Sequence, residues 1–341
     1  MKFYLVSFIF LLLLFSSCDQ KKELIKNPSD QFVLAFGSCN NQHLKNSMWK
    51  EILKNDPDLF VWGGDIVYSD TQDMKFIRSN YEKQKNDSSY QYFIKQVPVI
   101  GTWDDHDYGV NDGGAEYIKK DSVQQIFLDF FDVDPSDKRR KKQGVYFTEN
   151  IDLGNHSIKI IVLDTRYFRS ALTKDPTGEK RYIPGKTREG TMLGKEQWQW
   201  LKNELNNSNA NFNIIISSVQ FLSYEHGFES WGTMPNEVKK LKEIISKSKA
   251  KGVLILSGDR HIAEISKDSI SGMNYPLIDF TSSGLTHSYT AFKGEPNKYR
   301  ISKVIPEKNF GILKIDLIKN QVEMEIRGEN DLLYESFLQV Y

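Results

Sequence analysis

The chain has 341 residues, with 45 basic side chains against 45 acidic ones and only two cysteines. A formal net charge of zero lacks the electrostatic footprint of a nucleic-acid binder, so no nucleic-acid surface is expected. A local site for a small anion stays open. Two cysteines make neither a disulfide framework nor an all-cysteine zinc site, and a hydrophobic content of 39% argues against disorder.

The first 17 residues are an address. Lys2 is a short positive region, and 3–15 is almost continuously apolar, the pattern of a secretory leader. The following Phe15-Ser16-Ser17-Cys18 resembles a bacterial lipobox. That resemblance implies a signal peptide over 1–17 and a lipid-modified Cys18. The protein would then be exported and lipid-anchored to a bacterial membrane, facing the periplasm or the cell surface. An uncleaved anchor with an incidental cysteine is the alternative. Residues 18–31 read as a flexible polar tether, and 32–341 as a single domain. The oligomeric state is open. Cys39 is then the one ordinary thiol of an exported protein. It is buried, paired with Cys18, or coordinated.

The tether leads into interleaved strands and helices. Apolar runs at 32–36, 59–62, 97–101, 158–163, 212–219 and 253–256 predict buried strands. Helical spacing falls near 43–55, 114–131, 195–207 and 236–249, with Gly194 and Asn236 as N-terminal caps. Tyr117, Val123, Ile126, Phe127 and Phe130 fit one helical face. Alternation at 310–317, 321–327 and 332–340 predicts antiparallel strands. The class is α/β or a layered α+β sandwich.

Polar clusters follow the apolar strands, where open α/β sheets place their sites. They are Gly37-Ser38-Cys39-Asn40, Gly63-Gly64-Asp65-Ile66-Val67-Tyr68, Trp103-Asp104-Asp105-His106-Asp107, Gln220-Phe221, and Gly258-Asp259-Arg260-His261. Crowded carboxylates repel unless cations offset them, so a metal centre is expected.

The ordered set GSC, GDxxY, WDDHD, GDxH resembles the alkaline-phosphatase-D (PhoD-like) branch of the calcineurin-like metallophosphoesterases. Leu163-Asp164-Thr165-Arg166, 231–235 and the run 283–287 support it. The resemblance implies a four-layer αββα sandwich of two mixed sheets flanked by helices. It also implies Fe3+ and Ca2+ as cofactors, other divalent metals being possible. On the iron side it places Cys39, Tyr68 and His261, with Asp65 bridging. On the calcium side it places Asp105 and Asp259, and Asn40 as a calcium-side or substrate contact. His106 takes the position of the general acid. Arg166 is a candidate phosphate clamp, since a guanidinium matches phosphate oxygens bidentately, and His287 is a further candidate substrate contact.

Each residue has a plainer competitor. Asp65 could cap a turn, Cys39 or Tyr68 could be core, and Arg166 could form a surface salt bridge. Asp104 and Asp107 could be supporting partners or turn residues. Gln220 stands where the wider superfamily has a histidine, and no ligand is expected there. The basic run 138–142 and the Trp198/Trp200 pair read as a solvated loop and as packing.

The function expected is metal-dependent hydrolysis of a small phosphate ester, with a metal-activated water as nucleophile and His106 as acid. A serine nucleophile is not supported, since no G-x-S-x-G occurs. The alternatives are a phosphodiesterase, including phospholipase-D-like cleavage, and a non-catalytic surface-binding lipoprotein.

Overall fold

The protein is described by a computed structural model covering residues 31–185 and 190–341. The leader, Cys18 and most of the tether lie outside the described residues. Among those residues, no helix is long and apolar enough to cross a membrane.

In chain order the first half holds β1 (Gln31–Gly37), α1 (Met48–Leu53), β2 (Leu59–Gly63), α2 (Met74–Lys85), α3 (Ser88–Ile94), β3 (Val99–Thr102), α4 (Asp105–Tyr108) and α5 (Lys120–Phe130). Next come β4 (Phe147–Leu153), β5 (His156–Val162), the short hairpin β6 (Thr173–Lys174) and β7 (Tyr182–Ile183), α6 (Gly194–Asn206), β8 (Phe212–Ile216) and α7 (Pro235–Lys247). The chain closes with β9 (Val253–Ser257), β10 (Ala263–Asp268), β11 (Leu277–Ser282), β12 (Phe310–Asp316), β13 (Gln321–Arg327) and β14 (Leu333–Val340).

Two six-stranded mixed sheets result, ordered β14-β13-β12-β1-β2-β3 and β10-β11-β9-β8-β5-β4. Their layering follows from alternation within each strand, because successive side chains point to opposite faces. Leu34 and Phe36, Leu59 and Val61, Ile160 and Val162, and Leu254 and Leu256 share one core between the sheets. Their neighbours Ala35, Phe60 and Trp62 face outward onto α1, α2, α3 and α5. On the other side, Ile161, Ile215 and Ile255 face α6 and α7. Strands buried on both faces lose the polar alternation of a half-exposed strand, which is why these runs read as continuously apolar. The four-layer arrangement expected from the sequence is the one observed.

β1, β2 and β3 are mutually parallel, as are β5, β8, β9 and β11. Their C-terminal ends therefore gather at one end of the sandwich. Gly101 on β3 pairs with Trp62 on β2 of the same sheet, and a Cβ there would sit 2.4 Å from the Trp62 Cβ. A side chain there would overpack against Trp62.

Local differences from expectation have identifiable causes. The helix expected over 43–55 begins only at Met48, and that expected over 114–131 begins at Lys120, leaving Tyr117 in the preceding turn. Gly194 is the first helical residue, with a φ of 68°, and Leu193 takes the cap position. Met234 precedes α7 and Pro235 opens it, where a missing N–H costs nothing. Helices α2 and α3 and strands β4, β10 and β11 escaped the sequence reading. Asp73 and Asp87 cap α2 and α3 by accepting backbone N–H bonds, a signal present in the sequence.

Candidate metal centre

Four loops at the C-terminal strand ends build the site. Cys39 follows β1, Asp65 and Tyr68 follow β2, Asp104 to Asp107 follow β3, and Asp259 and His261 follow β9. Cys39, Asp65, Asp259 and His261 all adopt positive φ, at 60°, 51°, 72° and 56°. Left-handed backbone is unfavourable for non-glycine residues and collects at functional sites. It turns each side chain sharply off its strand into the shared space. Gly64, with a φ of 100°, lets the second loop pass close beneath the third, since a Cβ there would meet the Asp104 Cβ at 2.5 Å.

These loops bring the expected ligands together. The Cys39 thiol lies 3.5 Å from Asp65 Oδ2, and the Tyr68 hydroxyl donates to the same oxygen at 3.2 Å. Tyr68 Oη is also 3.1 Å from His261 Nε2. Ligand atoms of Cys39, Asp65 and His261 all lie within 4.8 Å of one another. The same holds for Asp65, Asp105 and His106, and for Asp104, Asp105 and Asp259. Asp65 and Asp105 each belong to more than one group, as residues between two ions would. His287 packs against the rings of His261 and Tyr68, with centroids 4.5 and 5.1 Å away.

His106 stacks on Tyr68 at 4.2 Å, and its Nδ1 meets Asp70 Oδ2 at 2.7 Å. Asp107 has a structural task. It accepts the Asp104 N–H at 2.5 Å and the Ile66 N–H at 2.9 Å, tying the third loop to the second.

The electrostatics ask for cations. Burial, reinforced by neighbouring carboxylates, pushes the Cys39 thiol, the Tyr68 phenol and the Asp65 and Asp259 carboxyls well above their ordinary values. Their anionic forms need positive charge close by. Burial opposes ionisation of Asp105 as well, but Arg166 and His106 outweigh it and hold this carboxyl low. Burial also opposes a charged His106, yet Asp65 and Asp70 outweigh it and push its pKa up to about 10. Burial and the neighbouring His287 push His261 down to about 3, which suits a neutral imidazole ligand. Asp104 Oδ2 is buried without a hydrogen-bond partner. Thiolate, phenolate, imidazole and carboxylates together fit a softer and a harder cation side by side.

A fourth acidic group, Asp105, Asp112 and Glu229, is already compensated. Glu229 is ion-paired with Arg166 at 2.5 Å and with Arg169 at 2.8 Å, and Asp112 with Arg181.

Two expected substrate contacts are engaged by protein partners. Arg166 is 0% exposed, and its guanidinium is ion-paired with Asp104 and Glu229. Asn40 faces away from the cleft. Its amide donates to Ile66 O at 2.9 Å and Gln84 Oε1 at 2.7 Å, and its oxygen accepts from Asn46. Gln220 donates to Glu264 and Thr281, a structural role. Trp198 is packed and donates to Glu237, and the 138–142 run forms a short turn pinned partly by Asp137. The sequence reading passed over Asp70, Asp112, Arg181 and Glu229. Asp70 stood in plain view beside Tyr68, but nothing local tied it to His106.

A sequence profile described as PhoD-like phosphatase matches residues 34–282. The chain belongs to this family. The match runs from β1 to the end of β11 and so spans all four ligand loops, while His287 lies beyond it. Alkaline phosphatase D of Bacillus subtilis (strain 168) is 22% identical over an alignment 300 positions long that covers 74% of this chain and 51% of that protein. The chain thus spans about half the length of this curated relative. A solved structure titled "Structure of PhoD" superposes with a TM-score of 0.71 at 19% identity, covering 91% of this chain and 68% of that one. A second, described as GAP50, the anchor in the inner membrane complex of Plasmodium, has a TM-score of 0.55 at 11% identity and covers 91% and 89%. At these identities both likenesses speak for the shared fold alone. Within the PhoD-like family, this chain carries its candidate ligands on the loops that the fold converges.

Proposed function

We propose that this PhoD-like chain hydrolyses phosphate esters at a centre held by Cys39, Asp65, Tyr68 and His261 on one side and by Asp105 and Asp259 on the other. The observation that carries the reading is the convergence of these six side chains on Asp65 and Asp105, beside a histidine oriented by a carboxylate. The thiolate and phenolate side suits Fe3+, and the carboxylate side suits Ca2+. When bound, such ions neutralise phosphoryl oxygens and acidify a water for in-line attack. The remaining work falls to the chain. Asp70 holds the Nδ1–H of His106, which leaves Nε2 to give a proton to the departing alkoxide. Tyr68 stacks on that ring and limits its rotation. His287 supports His261 and closes the site on that side. The leader and Cys18 would export this domain and anchor it to the membrane.

Cys39→Ser tests the reading. Protein loaded with iron and calcium should hydrolyse bis-(p-nitrophenyl) phosphate or p-nitrophenyl phosphate and show visible charge-transfer absorption. The variant should lose the colour and the activity together. Loaded protein that binds neither metal by elemental analysis and hydrolyses neither ester overturns the proposal.

A further inference from the structure

Beside the ligand cluster lies a cavity of about 360 Å³, lined by Asp105, His106, Asp259 and His261 and by Arg181 and Arg260. The arginines at this end of the sandwich divide sharply. Arg166 and Arg169 are fully buried and spent on Glu229 and Asp104. Arg181 and Arg260 are the two arginines that line the cavity.

Arg260 is fixed from behind. Its Nη2 donates to both oxygens of Glu295, at 2.9 and 2.8 Å, and its guanidinium lies 4.2 Å over the Phe228 ring. The side chain is only 9% exposed, and Nε is buried with no partner. All of its side-chain hydrogen bonds run through one nitrogen of a five-donor fork. Arg181 is 49% exposed and leans on Asp112, which Tyr182 also holds through a hydroxyl donating at 2.7 Å. Asp112 in turn donates its N–H to Asp105 Oδ2 at 2.7 Å. Arg181 is thereby moored one residue away from a candidate ligand. Neither guanidinium bonds to an atom of the metal-ligand groups formed by Cys39, Asp65, Asp105, Asp259 and His261.

We infer that Arg181 and Arg260 form a subsite for a second anionic group on the alcohol of the substrate, next to the phosphoryl group being transferred. This deepens the hydrolase reading and rests on it. The scissile phosphate is served by the centre itself, so these two cations act on charge elsewhere in the substrate. Guanidinium forks match carboxylate and phosphate equally, and a fork held in place beforehand loses little entropy on binding. Preferred substrates are therefore phosphate esters bearing a carboxylate or a further phosphate within a few bonds of the ester oxygen.

Binding of non-hydrolysable analogues to the metal-loaded protein tests the subsite by calorimetry. 3-Phosphonopropionate carries the second anion, and propylphosphonate lacks it. The native protein should bind the former at least 10-fold more tightly, and Arg181→Ala should bring the two within twofold. Arg260→Met should act in the same direction, while the more exposed Arg181 keeps the test open if Arg260 variants misfold. Glycerol bisphosphate compared with glycerol monophosphate as competitive inhibitors separates a phosphate preference from a carboxylate one. Equal binding of both phosphonates to native protein overturns the subsite, as does a preference that survives Arg181→Ala. If that same preparation hydrolyses bis-(p-nitrophenyl) phosphate, the hydrolase reading stands while the subsite falls. Protein that neither binds phosphonates nor hydrolyses esters removes both.

Discussion

Asp70 Oδ2 meets His106 Nδ1 at 2.7 Å while Tyr68, two residues before Asp70, stacks on the same imidazole. One short loop after β2 therefore contributes a candidate ligand, a ring support and an orienting carboxylate. Asp70 takes a positive φ of 43° to reach the ring. Asp70→Asn should lower kcat by roughly 10-fold or more on alkyl esters, whose leaving oxygen needs a proton. The loss should be smaller on p-nitrophenyl esters, whose phenolate leaves unaided. Equal losses on both ester types would show that Asp70 holds the loop and nothing more.

His106→Ala should follow the same pattern with a larger amplitude, about 10²–10⁴-fold on alkyl esters. Metal content, measured on the purified variant, should stay near the native level. A large loss of metal with the variant would place His106 among the ligands instead.

Arg166 is a charge compensator, with Asp104 and Glu229 on either side of it. Arg166→Met removes the cation, leaving buried Asp104 without its ion pair and Glu229 with Arg169 alone. The expected cost is about 3–5 kcal/mol of stability, read from urea unfolding. Arg166→Lys should recover part of it, because an ammonium restores the charge without the fork. A neutral effect of Arg166→Met would mean that Asp104 and Glu229 fold protonated.

Metal removal should loosen the whole end of the sandwich. Ions that bind only the folded chain at 100 to 1,000 times their dissociation constant add about 2.7–4.1 kcal/mol. Chelation should then lower Tm by about 5–15 °C, at roughly 2–4 °C per kcal/mol for a domain of this order of size. Scanning calorimetry with and without chelator checks it. An unchanged Tm would contradict metal binding by these loops.

His226 gives a pH signature away from the ligands. Its Nε2 donates to Ser223 O at 3.1 Å, and its Nδ1 accepts the Phe228 N–H at 3.0 Å. Both nitrogens are used by the neutral ring. Burial, then the charge of Arg260, pushes its pKa down to about 3 from the ordinary 6.5. Between these values the unfolded chain binds the proton and the folded chain does not. This contribution to stability is complete above pH 6.5 and declines as pH falls toward 3. Unfolding at pH 7 and pH 5 should show a smaller loss in His226→Asn than in the native chain. Equal losses would mean that the ring titrates freely.

The sequence by itself determined the frame of this protein. Continuous apolar runs marked strands buried on both faces, and polar clusters after them marked the end where a site forms. The motifs Cys39, Asp65 to Tyr68, Asp104 to Asp107 and Asp259 to His261 were readable because each is local, a few residues beyond a strand. Side-chain direction was not readable. Asn40 follows Cys39 directly, yet one side chain enters the cleft and the other is drawn to Gln84 on α2. Arg166 sat in a convincing motif, and only the packing of two loops from different strands showed it sealed between Asp104 and Glu229. The reason is physical. A strand end sets position, but the backbone turn after it, left-handed at four of the candidate ligands, sets aim. Pairings such as Asp70 with His106, or Arg181 with Asp112, join loops that lie apart in the chain and meet only in the fold. From a charge balance of zero the sequence predicted no broad anionic partner, and the tertiary structure decided where the local charges stand. Acids and two arginines, Arg181 and Arg260, line the cavity, while Arg166 and Arg169 are fully buried nearby.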